Sequence, residues 1–203
     1  MLSVNSVVPY ADLNQFNYEP AANNTSTVTF TWRASDGYNL STNTSTVTIT
    51  ITGINDAPTG TNNTVATNED TQYTFAAINF GFGDTTDSPA NTLSNVRITT
   101  IPAVGLLQLN GVNVTAGQYI SAANIASGLL RFVPAAHANG ASYASFTFQV
   151  QDNGGTANGG IDLDASANTM TVNVTAVNDA PTGTDNTVAT NEDTQYTFTT
   201  ANF

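Results

Sequence analysis

The sequence contains no cysteine and no lysine, and only three arginines and one histidine among 203 residues. Without cysteine there is neither a disulfide nor a thiolate metal site. A chain that buries a large core can do without covalent staples, so this absence does not by itself indicate the cytosol. Without lysine there is no Lys–Asn isopeptide cross-link. Charged residues make up only 9% of the chain, against about 25% in ordinary globular domains. Thr, Asn, Ser and Gln must therefore supply the polar surface. The charge that remains is one-sided, with 15 acidic residues and a formal net charge of −12. Such a field repels phosphate backbones and anionic membrane surfaces and attracts divalent cations, which argues against nucleic acid as a partner. No run approaches the roughly 20 apolar residues that a membrane helix needs, so no membrane insertion is expected. Met1–Pro20 lacks a basic stretch followed by an apolar run and does not read as a signal peptide.

What the chain does have is a phrase written twice. Asn55–Phe80 reads NDAPTGTNNTVATNEDTQYTFAAINF, and Asn178–Phe203 reads NDAPTGTDNTVATNEDTQYTFTTANF. The two differ only at positions 62/185, 76/199, 77/200 and 78/201, and they lie 123 residues apart. That spacing exceeds a solenoid unit of about 20–50 residues and fits one whole domain per repeat. The expected organisation is a complete unit over 56–178, the C-terminal part of a preceding repeat over 1–55, and the N-terminal strands of a following repeat over 179–203. The early segment keeps the register: Phe30-Thr-Trp32 aligns with Phe146-Thr-Phe148, and Val47, Ile49 and Ile51 fall 123 residues before Met170, Val172 and Val174.

Helical periodicity is nearly absent. Short runs rich in Thr, Val, Ile, Phe and Tyr alternate apolar with polar residues, the signature of half-buried strands. In the complete unit the pattern predicts strands near Thr64–Thr67, Gln72–Phe75, Val96–Ile101, Leu106–Leu109, Gln118–Ile120, Leu129–Val133, Tyr143–Gln151 and Thr169–Val177. Gly, Asn and Pro punctuate the gaps. One helical turn is expected after Ser121 as cap, ending at Gly128. Late strands are expected at Phe30–Ala34 and Thr46–Ile51, and the first two strands of a unit in 179–203. Seven or eight short strands in about 120 residues predict an all-β chain of tandem antiparallel Greek-key β-sandwich repeats.

The phrases INDAP and VNDAPTG, then NEDTQYTF, FGFGD, ANTLSNVRITTIPAVGLLQLNGVNVTAGQYISAANI and SFTFQVQDNGGTANGGIDLD, resemble the cadherin-like repeats of giant bacterial secreted adhesins, the type I-secreted, RTX-like surface proteins. The resemblance covers the complete unit and both flanking segments. It implies a cadherin-like or immunoglobulin-like sandwich, an extracellular spacer role in adhesion or biofilm formation, and calcium between domains. Asn55-Asp56 and Asn178-Asp179 look like interdomain linkers, Asp36 and Asp152 like the Asp of an Asp-x-Gly loop, and Glu69 and Glu192 like the early-strand Glu. Thr52 and Thr175 stand where a further linker Asp would fall, so fewer ions per junction are expected than in cadherins. Neighbouring repeats are the implied partners, with polysaccharide or a cell-surface receptor engaged through other domains.

Strand geometry reaches the same acids. From Asp56 to Glu69 extended chain spans about 40 Å, one unit length, which puts Glu69 and Asp70 at the opposite pole from Asp56. Returning strands bring Asp84, Asp87, Asp152, Asp162 and Asp164 back to Asn55 and Asp56. The second pole collects Glu69, Asp70, Asn178 and Asp179. Calcium takes six to eight oxygen ligands, for which such clusters are suited. Asp beside Gly or Asn is equally common as a turn former. Trp32 is expected in the core and His137 in a plain loop. No phosphate loop or nucleophile elbow is present, and the chain does not read as an enzyme. The alternative reading is a calcium-dependent polysaccharide-binding module.

Overall fold

The structure is a computed structural model and describes residues 6–203; the first five residues of the 1–55 segment lie outside the described residues. Two strands open the chain, β1 (Val28–Trp32) and β2 (Ser45–Ile49). Nine more follow: β3 (Asn63–Asn68), β4 (Tyr73–Thr74), β5 (Leu93–Ile98), β6 (Leu106–Leu109), β7 (Val112–Asn113), β8 (Tyr119–Ser121), β9 (Leu130–Val133), β10 (Gly140–Asp152) and β11 (Asn168–Thr175). The one α-helical turn among the described residues is α1 (Ala122–Ala126); the Ser121 hydroxyl caps it by accepting from the Asn124 amide. No helix among them is long and apolar enough to cross a membrane.

Inside 56–178 the strands form two sheets. One has five strands in the order β3-β11-β10-β5-β8, the other four in the order β4-β9-β6-β7. The chain changes sheet between β3 and β4, over a turn in which Asp70 takes φ +58°. All pairings are antiparallel except one: β3 runs parallel to β11, Val65 opposite Val172. The expectation of a purely antiparallel arrangement is corrected there. The alternation of residues fixes which face is buried and leaves strand direction open.

Both sheets feed one core. Phe146, Phe148, Val150, Met170 and Val172 of the five-stranded sheet are buried together with Leu107, Leu130 and Phe132 of the four-stranded one. Phe75 and Phe80 lie between them. The Phe75 ring meets Phe146 edge-to-face at 5.6 Å, and Phe80 meets Phe148 at 5.0 Å, a favourable disposition of ring quadrupoles.

The flanking segments differ. β1 and β2 form an isolated two-stranded sheet, and Trp32, the counterpart of the fully buried Phe148, is 48% exposed. Trp32 is therefore not core: a lone hairpin has no second layer to cover it. Residues 179–203 hold no strand, only a 3-10 turn at Thr200–Asn202, which corrects the expectation of two strands. In the complete unit the equivalent strands exist by pairing with β11 and β9, and no such partners lie beside 179–203 among the described residues.

Phe80→Ala is expected to cost about 3–5 kcal/mol through lost burial and a cavity. Trp32→Ala should cost less than about 1 kcal/mol, as at other partly exposed positions. Denaturant unfolding of both variants checks this; equal losses would mean that the hairpin shares the core.

Candidate metal centre

β10 carries both core and site. Its buried residues run Phe146, Phe148, Val150, Asp152 at every second position, so Asp152 is the last member of an inward-facing apolar row. The register between β10 and β5 slips there, Gln151 facing Asn95 but Asp152 facing Leu93. Such irregularities re-aim side chains at strand ends. Asp152 is only 3% exposed. Its carboxylate accepts from the Gly154 amide at 2.8 Å and from Asn55 Nδ2 at 3.1 and 3.3 Å. Burial pushes its pKa up from the ordinary 3.8, and the charges of Asp84 and Asp162 add to that rise.

Asn55 ties the entering chain to this pole. Its Nδ2 also donates to the Ile161 carbonyl at 2.7 Å, its carbonyl accepts from the Ile161 amide at 2.9 Å, and its Oδ1 accepts from Asn91 Nδ2. A Cβ at Gly154 would overlap the Asn55 side chain, so the close approach requires glycine. Beside Asn55, the Asp56 amide donates to Asp87 Oδ2 at 3.1 Å, and Asn91 Nδ2 reaches the same oxygen at 3.3 Å. Asp84 is buried; its Oδ2 accepts from the Asn91 amide at 2.6 Å, while its buried Oδ1 has no hydrogen-bond partner.

The structure thus gathers Asn55, Asp56, Asp84, Asp87, Asp152 and Asp162 at the entry pole. Asp162 accepts from Gln151 Nε2 at 3.1 Å through its side chain and from the Asp152 amide at 2.9 Å through its carbonyl. Asp164 lies at the same end with a different task. Its two oxygens accept from Gly60 N, Asn168 Nδ2, Ser166 N and the Ser166 hydroxyl, so its lone pairs are spent on pinning local backbone. Sequence reasoning missed Asn91, which links Asn55, Asp84 and Asp87. No local pattern marks it; its role arises from the loop between Asp87 and β5.

None of the arginines neutralises this pole. Arg33 donates to Thr44, Arg97 to Gln149, and Arg131 to the Gly128 carbonyl. Among the described residues the ion-pair contacts all involve His137.

The exit pole is built differently. Glu69 is buried and accepts from the Val177 amide at 2.5 Å and Asn139 Nδ2 at 2.9 Å, which fixes the outgoing strand. Asp70 accepts from the His137 amide at 3.0 Å. The His137 ring, expected in a plain loop, has Nδ1 3.0 Å from Asp179 and 3.4 Å from Asp70. Among the described residues Asp70, His137 and Asp179 form the group of three ionisable ligand residues whose donor atoms come within 4.8 Å of one another, and all three are exposed. Asn178 is exposed and its side chain donates to the Asp179 carbonyl at 3.2 Å. Glu69 thus stands apart from Asp70 and Asp179, with both oxygens already engaged.

With divalent cations chelated, the Asp152 carboxyl should titrate above 3.8. The protonated carboxyl favours the fold, so its contribution to stability is complete below 3.8 and is lost as pH rises through the raised value. Carbon-detected NMR titration of the side chain, alongside unfolding at each pH, checks both halves. A midpoint at or below 3.8 would contradict the burial argument.

Comparison of the chain with protein-family models, curated proteins and solved structures found no match.

Proposed function

We propose that residues 56–178 form one cadherin-like β-sandwich unit of a tandem array, stiffened by calcium where the Asn55–Asp56 linker enters it, and acting as a spacer in a large extracellular bacterial adhesin. The array reading is supported by the 123-residue repeat and by the hairpin. In β1–β2, Phe30 faces Val47 and Trp32 faces Ser45; in β10–β11, Phe146 faces Met170 and Phe148 faces Asn168. Aligned residues thus pair in the same register in both places.

The observation that carries the calcium reading is the buried Asp84 Oδ1 without a partner, in a pole that holds Asp152 and Asp87 and no arginine. A buried carboxylate oxygen left bare costs several kcal/mol unless a cation or donor meets it. The available donors are all oxygens, from Asp84, Asp87, Asp152 and the Asn55 amide, the hard set that calcium prefers. Half a turn of the Asn55 amide would offer its oxygen where its nitrogen now contacts Asp152. An open cleft lined by Gly53, Ile54, Asn55, Asp87, Asn91 and Gly154 leaves this face accessible from solvent. Bound calcium would tie the linker to three acids of the unit, converting their mutual repulsion into a joint between consecutive domains. The spacer role, and placement at the cell surface, rest on the resemblance of the repeated phrases.

Calcium at a hundred times its Kd should stabilise the chain by about 3 kcal/mol, and Asp84→Asn or Asp152→Asn should remove most of that gain. Thermal melts with and without chelator test this, and small-angle scattering should show a narrower distribution of hairpin positions when calcium is present. A melting temperature indifferent to calcium would overturn the reading.

A further inference from the structure

We propose that this chain associates head to tail with copies of itself, residues 186–191 of one copy adding as a parallel strand to the free edge of β2 in the next. The inference goes beyond the spacer reading and does not depend on calcium.

The hairpin β1–β2 repeats the register of β10–β11, residue for residue over five pairs. In the complete unit the far edge of β11 is covered by β3, whereas the sheet of β1 and β2 has no third strand. β3 reads Asn-Thr-Val-Ala-Thr-Asn, and residues 186–191 read the same six letters yet form no strand. The chain therefore carries an open edge at one end and an identical copy of the strand that closes it at the other. Unpaired edges are templates for strand addition, which satisfies backbone donors and acceptors and seats alternate side chains.

The side chains on the donor segment repeat this mismatch. Val65, Phe75 and Phe80 are 6%, 1% and 0% exposed, while their counterparts Val188, Phe198 and Phe203 are 38%, 61% and 78% exposed. On the acceptor, Val47 is 37% exposed where Met170 is fully buried. Transferring the β3–β11 register sets Asn186 beside Val47, Val188 beside Ile49, and Thr190 beside Ile51. The Glu69 carboxylate that receives the Val177 amide becomes Glu192 receiving the Ile54 amide.

A second copy is the occupant the geometry offers. The eight residues from Asn178 to Asn186 reach at most about 28 Å, short of the unit length of about 40 Å that separates the exit pole from the hairpin. Donor and acceptor are different surfaces, so the contact is heterologous and does not close on itself; growth is open-ended.

Sedimentation equilibrium of the full chain in chelator, over a wide concentration range, tests this. The weight-average mass should climb from the 21.1 kDa of one chain past that of two. Val188→Asp spoils the donor and Ile49→Asp the acceptor, and each should hold the chain at one copy with an unchanged circular-dichroism spectrum. Mixed in equal amounts the two variants should form pairs and nothing larger, since the first keeps only its acceptor and the second only its donor. A parent chain that stays at 21.1 kDa, variants that grow as the parent does, or a mixture that stays single each overturn the proposal.

Discussion

The entry pole depends on carboxylates buried without a fixed cation. Asp152 and Asp84 sit where the apolar rows end, and the arginines are committed to neutral partners elsewhere. The fold meets this cost with neutral donors. Asn55, Asn91 and Gly154 feed hydrogens to the acids, and glycine at 154 lets the linker approach close enough to do so. Amide donors do not cancel charge, however. They leave Asp152 with a raised pKa and Asp84 with one bare oxygen, the state of a site balanced to take up positive charge.

Rigidity reaches this pole through one strand. β10 is central in its sheet and holds Phe146 against Phe75 and Phe148 against Phe80. Those contacts lock the two sheets together, and the same strand then delivers Asp152 two residues beyond Val150. A site on a central strand is held by the packing of the core, whereas one on a loop must be held by its own hydrogen bonds. Asp84 and Asp87 are of the second kind, and Asn91 is the clasp that organises them.

The fold was legible where alternation is strong. β6, β9, β10 and β11 fall close to their expected spans because buried and wet residues alternate over four or more positions. β7 escaped notice because it is two exposed residues long. β5 begins and ends three residues earlier than expected, since Leu93 and Val96 straddle the slip opposite Asp152. The parallel run of β3 was not legible, because side-chain period carries no strand polarity. Grouping Asp84, Asp87 and Asp152 beside Asn55 and Asp56 followed from counting strand lengths. The structure then sorts those acids by what their oxygens already hold, which spacing does not reveal: Asp164 is saturated and Asp84 is not. His137 between two acids was hidden for a similar reason. It requires the β4–β9 pairing, Tyr73 opposite Phe132, to bring the loop after β9 against the turn after β3.

The duplicated phrase supplies its own control on local against tertiary determination. Asn55-Asp56 and Asn178-Asp179 have the same sequence on their C-terminal side for six residues, yet the first pair is half-buried and engaged while the second is exposed. Local propensity cannot separate them. The groups that hold the first pair are Asp87, Asn91, Asp152 and Ile161, all downstream of it. The repeat spacing puts the counterparts of these four past position 203, beyond this sequence. The linker is therefore shaped by the unit that follows it, and the unit before it contributes mainly the direction of approach. On this logic any ion at such a joint is gripped chiefly by the C-terminal neighbour, and stiffness is transmitted backwards along the chain.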